Sequence, residues 1–282
     1  MQFYGNSARN LRDEVLQNYA LQAIEKIFWK HNRTLKENEF KDIPYPDMSK
    51  LKVPNNTLIH QELDYDRDIL MAAAEELKKG LNAKQALAFN EISKSAEGKD
   101  GRIFFVYGSG GTGKTYLWRT LISLLRSQGK IVLAVASSGI ASLLLPGGRT
   151  AHSRFKIPIK LNEISCCNLF KKTPLEELLC EVDLIIWDES PMIHRNALEA
   201  VQRDLTNLMM EANGENKLLF GKKPLVLGGD FRQILPVIEE GTREDIVNAS
   251  ISKSRLWKHF TVFELTENMR LSTRDTSQDE RD

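Results

Sequence analysis

A glycine-rich octapeptide, Gly108-Ser-Gly-Gly-Thr-Gly-Lys-Thr115, limits the fold of this chain more than any other feature. It follows a continuous apolar run at residues 103–107, which predicts a buried strand, and it precedes a stretch at 114–126 with helical character. A strand, a glycine-rich loop and a helix in this order are typical of a P-loop, in which backbone N–H groups and the helix N-terminus hold phosphate oxygens. The alternative, a flexible glycine turn with a chance lysine, is disfavoured because the whole motif stands in its proper context.

The octapeptide therefore predicts a binding site for ATP or a close relative. Lys114 would reach the β- and γ-phosphates, and the Thr115 hydroxyl would bind Mg²⁺. The candidate nucleotide-binding residues are Gly108, Ser109, Gly110, Gly111, Thr112, Gly113, Lys114 and Thr115.

Further short apolar runs lie at residues 131–135, 184–187 and 225–227, and helix-like segments separate them. Buried strands that alternate with helices predict an α/β fold with a parallel sheet covered on both faces. Helical spacing of apolar residues predicts helices at 11–28, at 64–79 and from Asn82 to about Ala96.

Composition and charge argue against a strongly basic nucleic-acid-binding protein, a cysteine-ligated zinc protein, and a secreted or membrane-spanning protein. The net charge of +1 gives no global field for nucleic acid, so a DNA-binding surface would have to be a local patch. The three cysteines lack the spacing of a zinc site and fit a reducing compartment. No secretion signal or membrane span is visible, so we expect a soluble intracellular protein, in the nucleus or else in the mitochondrion.

Two adjacent carboxylates, Asp188 and Glu189, end the apolar run at 184–187. Asp188 suits Mg²⁺ coordination, and Glu189 suits activation of an attacking water as a general base. A surface Asp-Glu turn is the alternative, which the P-loop upstream makes less favourable. Because kinases use the hydroxyl of a second substrate, a water-activating glutamate favours hydrolysis of the nucleotide.

Two glutamines remain ambiguous from their positions alone. Gln233 follows the predicted strand at 225–227 and could contact the γ-phosphate or the attacking water, or lie in a solvated loop. Gln85 could read the adenine edge, but Asn82 and Gln85 also form a capping-box pattern, and spacing favours the cap.

Taken together, these motifs resemble a superfamily 1B DNA helicase of the Pif-one (petite integration frequency) type, closest to the plant and Helitron-transposon branch. The likeness is strong over residues 81–271, which we predict to be a RecA-like lobe after a helical N-terminal region, 1–80, and before a polar tail, 272–282. The stretches that carry it are LNAKQ (81–85), the P-loop, ASSGIASLLL (136–145), GGRTAHS (147–153), FKIP (155–158), WDE (187–189), GGDFRQILPV (228–237) and LTENMR (265–270).

The resemblance implies roles for individual residues. Gln85 becomes the adenine-reading residue, which can coexist with the cap. Gln233 becomes the γ-phosphate sensor, and Arg270 reaches the γ-phosphate when two lobes close. Single-stranded DNA, alone or in a forked duplex, becomes the partner, with ATP and Mg²⁺ as cofactors and 5′–3′ unwinding as the activity. The implied DNA contacts are Ser137, Ser138, Gly139, Thr150, His152, Ser153 and Phe155.

The sequence ends shortly after Arg270, where a helicase of this type would begin its second lobe. We therefore expect this chain alone to bind Mg-ATP weakly, to hydrolyse it slowly or undetectably, and not to unwind DNA. Two other classes of function remain as alternatives. One is a non-catalytic module that binds nucleotide or DNA, and the other is a P-loop ATPase or kinase of unrelated purpose.

Overall fold

The computed structural model describes residues 13–30, 34–40, 42–46, 56–213 and 218–269 of the protein. Its helices are α1 (Asp13–Lys30), α2 (Thr57–Leu63), α3 (Arg67–Lys79), α4 (Ala83–Gly98), α5 (Lys114–Ser127), α6 (Gly139–Leu143), α7 (Ala151–Phe155), α8 (Pro174–Glu181), α9 (Arg195–Asn213) and α10 (Arg243–Ala249). Its strands are β1 (Ile103–Gly108), β2 (Val132–Ala136), β3 (Arg149–Thr150), β4 (Leu184–Asp188), β5 (Leu225–Gly229) and β6 (Phe260–Leu265). Arg270 and the predicted tail, 272–282, lie outside the described residues.

The strands form one parallel sheet in the order β3-β2-β4-β5-β1-β6. The four apolar runs of the sequence become its four central strands, which confirms the predicted α/β fold. The two edge strands have no such run: β3 has two residues, and β6 is buried only at its last residue, Leu265. They were not predicted because an edge strand needs no continuous apolar sequence.

Helices cover both faces of the sheet, as predicted. Successive side chains of β1 point to opposite faces, so Phe104 and Val106 pack with α4 and α5, while Ile103 and Phe105 pack with α8 and α9. All four of these side chains are buried. Burial on both faces accounts for the unbroken apolar runs of the central strands.

The helix ends follow their capping residues. The Asp66 carboxylate accepts the Ile69 N–H and starts α3, so the helix predicted at 64–79 begins three residues later, after a separate α2. Gly80 ends α3, as expected from its position. Asn82 caps α4.

Helices α2 and α3 pack against the sheet-forming part of the chain. The Tyr116 hydroxyl on α5 donates to the Leu77 carbonyl of α3 at 2.7 Å. The Asn56 amide before α2 donates to the Pro174 carbonyl of α8, also at 2.7 Å. No helix in the described ranges has the length and apolar character that crossing a membrane requires.

Candidate nucleotide-binding site

The P-loop connects β1 to α5 at the carboxyl edge of the sheet. Gly111 and Gly113 have φ values of 91° and 82°, in the left-handed region that favours glycine. At Gly113 a side chain would also collide, because a Cβ built there lies 2.3 Å from the Gln85 amide nitrogen. Ser109 and Gly110 are exposed, so the concave side of the loop is open to a ligand. This geometry is suited to enclosing phosphate with backbone N–H groups.

Lys114, the first residue of α5, is turned back onto the loop. Its ammonium is buried and donates to the Gly108 carbonyl at 2.6 Å. The buried Thr112 hydroxyl likewise donates to the Ser109 carbonyl at 2.8 Å. The loop is therefore held by its own hydrogen bonds, and Lys114 must release a carbonyl to reach a phosphate.

The two carboxylates stand at the end of β4, in the same edge of the sheet. Asp188 is 6% exposed and accepts the Glu189 backbone N–H at 3.0 Å. Burial raises the pKa of Asp188, against the opposing influence of that N–H and of the Lys114 charge. Burial also raises the pKa of Glu189, and the Asp188 charge adds to the shift. A raised carboxyl pKa suits a general base, which works best nearer to neutral pH.

Two backbone features keep Asp188 and Glu189 in place. Glu189 has a φ of 51°, a left-handed conformation that is uncommon for a residue with a side chain and is found often at functional sites. Gly228 on β5 leaves room beside the Asp188 carboxylate. A Cβ built on Gly228 would lie 2.4 Å from the Trp118 ring and 3.1 Å from Asp188 Oδ1.

Asp230 and Gln233 follow β5 and form the next part of the site. The Asp230 carboxylate accepts the Arg232 backbone N–H at 2.9 Å and the Gln233 side-chain amide at 3.2 Å. Burial raises the pKa of Asp230, but these hydrogen bonds outweigh it and leave the pKa below its ordinary value. A Cβ built on Gly110 would lie 3.8 Å from the Gln233 amide nitrogen. Gln233 therefore lies beside the P-loop, and Asp230, to which the sequence assigned no role, holds it there.

Gln85 forms the helix cap that its spacing favoured, together with a contact to the P-loop that the sequence did not suggest; adenine reading stays a prediction. Its side-chain oxygen accepts the Asn82 backbone N–H at 3.0 Å, which completes the capping box of α4. Its amide nitrogen donates to the Thr112 carbonyl of the P-loop at 3.1 Å. The side chain has no exposed surface and ties the start of α4 to the phosphate-binding loop.

The segment after β6, residues 266–269, also contacts the P-loop. The Met269 N–H donates to the Gly111 carbonyl at 3.0 Å, and Lys84 donates to the Thr266 hydroxyl at 2.8 Å. Sequence reasoning singled out this segment only by resemblance and assigned a role only to Arg270. The signal that could have found it is the end of β6, which lies beside β1 in the sheet.

The residues expected to contact DNA surround the ends of β2 and β3. Gly139, His152 and Ser153 are exposed, whereas the hydroxyls of Ser138 and Thr150 accept backbone N–H groups as the N-caps of α6 and α7. Although part of the His152 side chain is exposed, partial desolvation of its ring lowers its pKa, so a neutral imidazole is favoured at pH 7.

Ser137 connects this surface to the carboxylate strand. Its backbone N–H donates to the Asp188 carbonyl at 3.2 Å, and its hydroxyl accepts the Trp187 indole N–H at 3.1 Å. Trp187 and Asp188 are consecutive on β4. Two hydrogen bonds therefore join Ser137 to the strand that ends in the carboxylates.

The prediction that Phe155 contacts DNA is wrong. Its ring has no exposed surface and stacks on Trp187, with 5.7 Å between ring centroids. The apolar core between α7 and β4 takes up this side chain, so Phe155 supports the surface from below. Without the resemblance, Phe155 would have been predicted to be a core aromatic residue.

Thr115 and Asp188 fit the Mg²⁺ that a P-loop implies. Mg²⁺ is commonly bound by one or two protein oxygens together with phosphate and water, and a buried carboxylate near Lys114 provides such an oxygen. Across the described ranges, no three or more histidine, cysteine, aspartate or glutamate side chains cluster as a metal site.

Comparison with known protein families gives a match over most of the chain. The model of the family described as PIF1-like helicase matches residues 80–282. An ATP-dependent DNA helicase Pif1 from Psychrobacter sp. is 35% identical over 189 residues, which cover 66% of this chain and 27% of that protein. The same-named protein from Campylobacter jejuni is 35% identical over 153 residues, 52% of this chain and 31% of that protein.

Solved structures of related proteins share the fold. A structure of two coordinating Pif1 helicases at forked double-stranded DNA has a TM-score of 0.55 and 29% identity, covering 67% of this chain and 44% of that chain. A Pif1 helicase from Bacteroides in complex with ADP-AlF3 and single-stranded DNA has a TM-score of 0.53 and 27% identity, covering 65% and 42%. The chain thus spans less than half the length of each of these four relatives.

Proposed function

We propose that this chain, which belongs to the PIF1-like helicase family, forms the first motor lobe of an ATP-dependent DNA helicase that moves 5′ to 3′ on single-stranded DNA. The observation that carries the proposal is the convergence of Lys114, Asp188, Glu189 and Gln233 at one edge of the sheet, beside the P-loop. These are the groups that nucleotide hydrolysis requires. The finer assignment to the plant and Helitron branch stays a prediction.

Each residue of the site has a distinct task in this proposal. Lys114 leaves the Gly108 carbonyl and neutralises phosphate charge, while Thr115 and Asp188 hold Mg²⁺. The metal, when bound, stabilises the negative charge that develops on the transferred phosphoryl group. Glu189 accepts a proton from the attacking water, and Gln233, held by Asp230, contacts the γ-phosphate or that water. Arg270, which is outside the described residues, would contact the γ-phosphate.

Gln85 has the hydrogen-bonding groups needed to read adenine. A side-chain amide has two N–H groups and two acceptor lone pairs, and Gln85 uses one of each within the protein. The remaining donor and acceptor match the N7 acceptor and N6 donor of adenine. Because the amide is fully buried and Met269 lies next to it, we expect Met269 to move when the base binds.

Single-stranded DNA would lie across the ends of β2 and β3. Exposed Gly139, His152 and Ser153 offer backbone and side-chain hydrogen bonds to phosphates. Through Ser137 and Trp187, a strand bound there would press on β4 and so on Asp188. This contact provides a physical route by which DNA binding could alter the geometry of the hydrolytic site.

The nucleotide half of the proposal is tested by Lys114→Ala. Removing a charged hydrogen-bond donor should cost about 1.5–3 kcal/mol, or about 10- to 150-fold in the Kd for Mg-ATP, measured with a fluorescent analogue. Lys94→Ala, at an exposed position on α4, is the matched control and should leave Kd unchanged. Equal affinities for both variants would exclude the P-loop as the nucleotide site.

The DNA half is tested by the double variant His152→Ala, Ser153→Ala. Loss of two hydrogen bonds should weaken binding of labelled single-stranded DNA by about 1–3 kcal/mol, read as fluorescence anisotropy. His259→Ala is the control, since His259 is exposed just before β6, on the opposite edge of the sheet from β3. A similar affinity for both variants, or no DNA binding by the unaltered protein, would contradict the proposed DNA surface.

A further inference from the structure

A buried carboxylate from α2 holds two arginines of the lobe. Glu62 Oε1 lies 2.5 Å from a terminal nitrogen of Arg154, and Oε2 lies 3.4 Å from a terminal nitrogen of Arg126. The three side chains are 7%, 4% and 1% exposed, in that order. We call these three residues the Glu62 cluster. Glu62 precedes residue 80, where the family match begins.

Arg126 fixes the turn that leads into β3. Its guanidinium also donates to the carbonyls of Pro146 at 3.0 Å and of Val132 at 3.1 Å. The Tyr65 ring stacks on it, with the guanidinium carbon 4.4 Å from the ring centroid. Gly147 follows with a φ of 65°, and a Cβ there would lie 2.9 Å from the Tyr65 hydroxyl. The turn is therefore pinned between α5 and the residues after α2.

Arg154 fixes α7 in the same way. This helix has only five residues, too few to be stable by itself, so tertiary contacts must set its orientation. Arg154 is buried against Glu62, while His152 and Ser153, two residues and one residue before it, are exposed. With about 100° between successive helical residues, an inward Arg154 directs these two side chains outward.

Arg154 depends strongly on this carboxylate, and Arg126 shares it. Burying a guanidinium is costly unless it is paired, and burial lowers the pKa of Arg154 while the Glu62 charge opposes that shift. Within the described ranges, the Nε atom of neither arginine has a hydrogen-bond partner. Glu62 therefore supplies the close contact that compensates the buried charge of Arg154, whereas Arg126 divides its terminal nitrogens between Glu62 and the carbonyls of Pro146 and Val132.

We propose that Glu62 is a positioning residue for the DNA surface: by pairing with Arg126 and Arg154 it holds the turn before β3 and the helix α7, and so presents His152 and Ser153 to single-stranded DNA. The inference rests on the proposed function, because it concerns the same surface. It places part of the DNA-binding apparatus in a segment that precedes the family match. The P-loop, at the other end of α5 from Arg126, should not depend on it.

The experiment compares Glu62→Gln with the unaltered 282-residue protein. We expect single-stranded DNA affinity to fall at least about tenfold, equivalent to about 1.4 kcal/mol, while the Kd for Mg-ATP stays unchanged. Amide hydrogen exchange should accelerate at residues 149–157 and not at 108–115. Glu76→Gln is the control, because Glu76 forms an exposed ion pair with Lys79 on α3, and it should change neither readout.

Two further variants separate positioning from a general loss of stability. Glu62→Asp keeps the charge but shortens the side chain, so it folds more readily and should weaken DNA binding less. Arg154→Met combined with Glu62→Gln should bind DNA no more weakly than Glu62→Gln alone if Glu62 acts through Arg154. A folded Glu62 variant with normal exchange at 149–157 and normal DNA affinity would overturn the proposal. If the unaltered protein binds no DNA, the proposed function fails, and the exchange measurement alone still decides whether Glu62 holds α7.

Discussion

Replacement of Gln85 by methionine is the sharpest test of how the P-loop is supported. Methionine has a similar length and volume, so the cavity term is small. The change removes the acceptor for the Asn82 N–H and the donor to the Thr112 carbonyl. Asn82 still accepts the Gln85 backbone N–H, so half of the capping box survives.

The loss of stability depends on how deeply the two groups that lose a partner, the Asn82 N–H and the Thr112 carbonyl, are buried. The Asn82 N–H is partly accessible, so water can replace the lost bond at a cost of about 1 kcal/mol. The Thr112 carbonyl bond is buried, and leaving such a group unpaired costs about 1–3 kcal/mol. We therefore expect the free energy of unfolding to fall by about 2–4 kcal/mol and Tm by about 5–15 °C.

The assay is urea unfolding of the nucleotide-free protein, followed by circular dichroism. Gln202→Met is the matched control, since the Gln202 amide donates to Thr206 one turn along α9, a pair worth about 0.2–0.5 kcal/mol. If the two variants lose the same stability, Gln85 does not support the loop. In a second measurement, a larger loss of affinity for ATP than for GTP would indicate that Gln85 also reads the base.

Three other substitutions have distinct expected outcomes. Glu189→Gln should slow single-turnover phosphate release in the presence of single-stranded DNA by about 10²- to 10⁴-fold and leave nucleotide affinity unchanged; normal release would exclude Glu189 as the general base. Because burial holds the pKa of Asp188 above its ordinary value of 3.8, the ionised carboxylate destabilises the nucleotide-free fold at higher pH, and this cost grows until the pH passes the folded-state pKa. Asp188→Asn should therefore stabilise the protein to urea at neutral pH, with the gain vanishing on acidification; equal stability at neutral pH would refute that reasoning. Phe155→Ala should cost about 3–5 kcal/mol in urea unfolding, since the ring is buried against Trp187, whereas an unchanged midpoint would mean that the ring is not part of the core.

The sequence predicts those parts of the molecule in which local pattern and burial agree. The central strands are buried on both faces and therefore carry continuous apolar runs, and the P-loop and the Asp188-Glu189 pair directly follow two of them. Edge strands β3 and β6 lack that signal. The Glu62 cluster escaped prediction because its members are far apart in sequence and meet only when α2 packs on the lobe.

The sequence also did not predict the direction in which individual side chains point. The resemblance implies DNA contacts at both His152 and Phe155, yet Phe155 points into the core while His152 is exposed. A motif gives the identity of its residues, but only the packing of a short helix decides which of them face solvent. The sequence likewise did not show that Gln85 both caps α4 and supports the P-loop. One side-chain amide can form both contacts, because its oxygen accepts and its nitrogen donates.

The close approach of Trp118, Gly228 and Asp188 has a consequence for how such a protein can change over generations. Any side chain at position 228 would collide first with the indole and then with the carboxylate. We expect Gly228→Ala to be harmful by itself and less harmful once Trp118 has been replaced by a smaller residue, which leaves only the 3.1 Å contact with the Asp188 carboxylate to be relieved. The order of the two mutations then matters, because an unbroken route through functional proteins requires the tryptophan to change first.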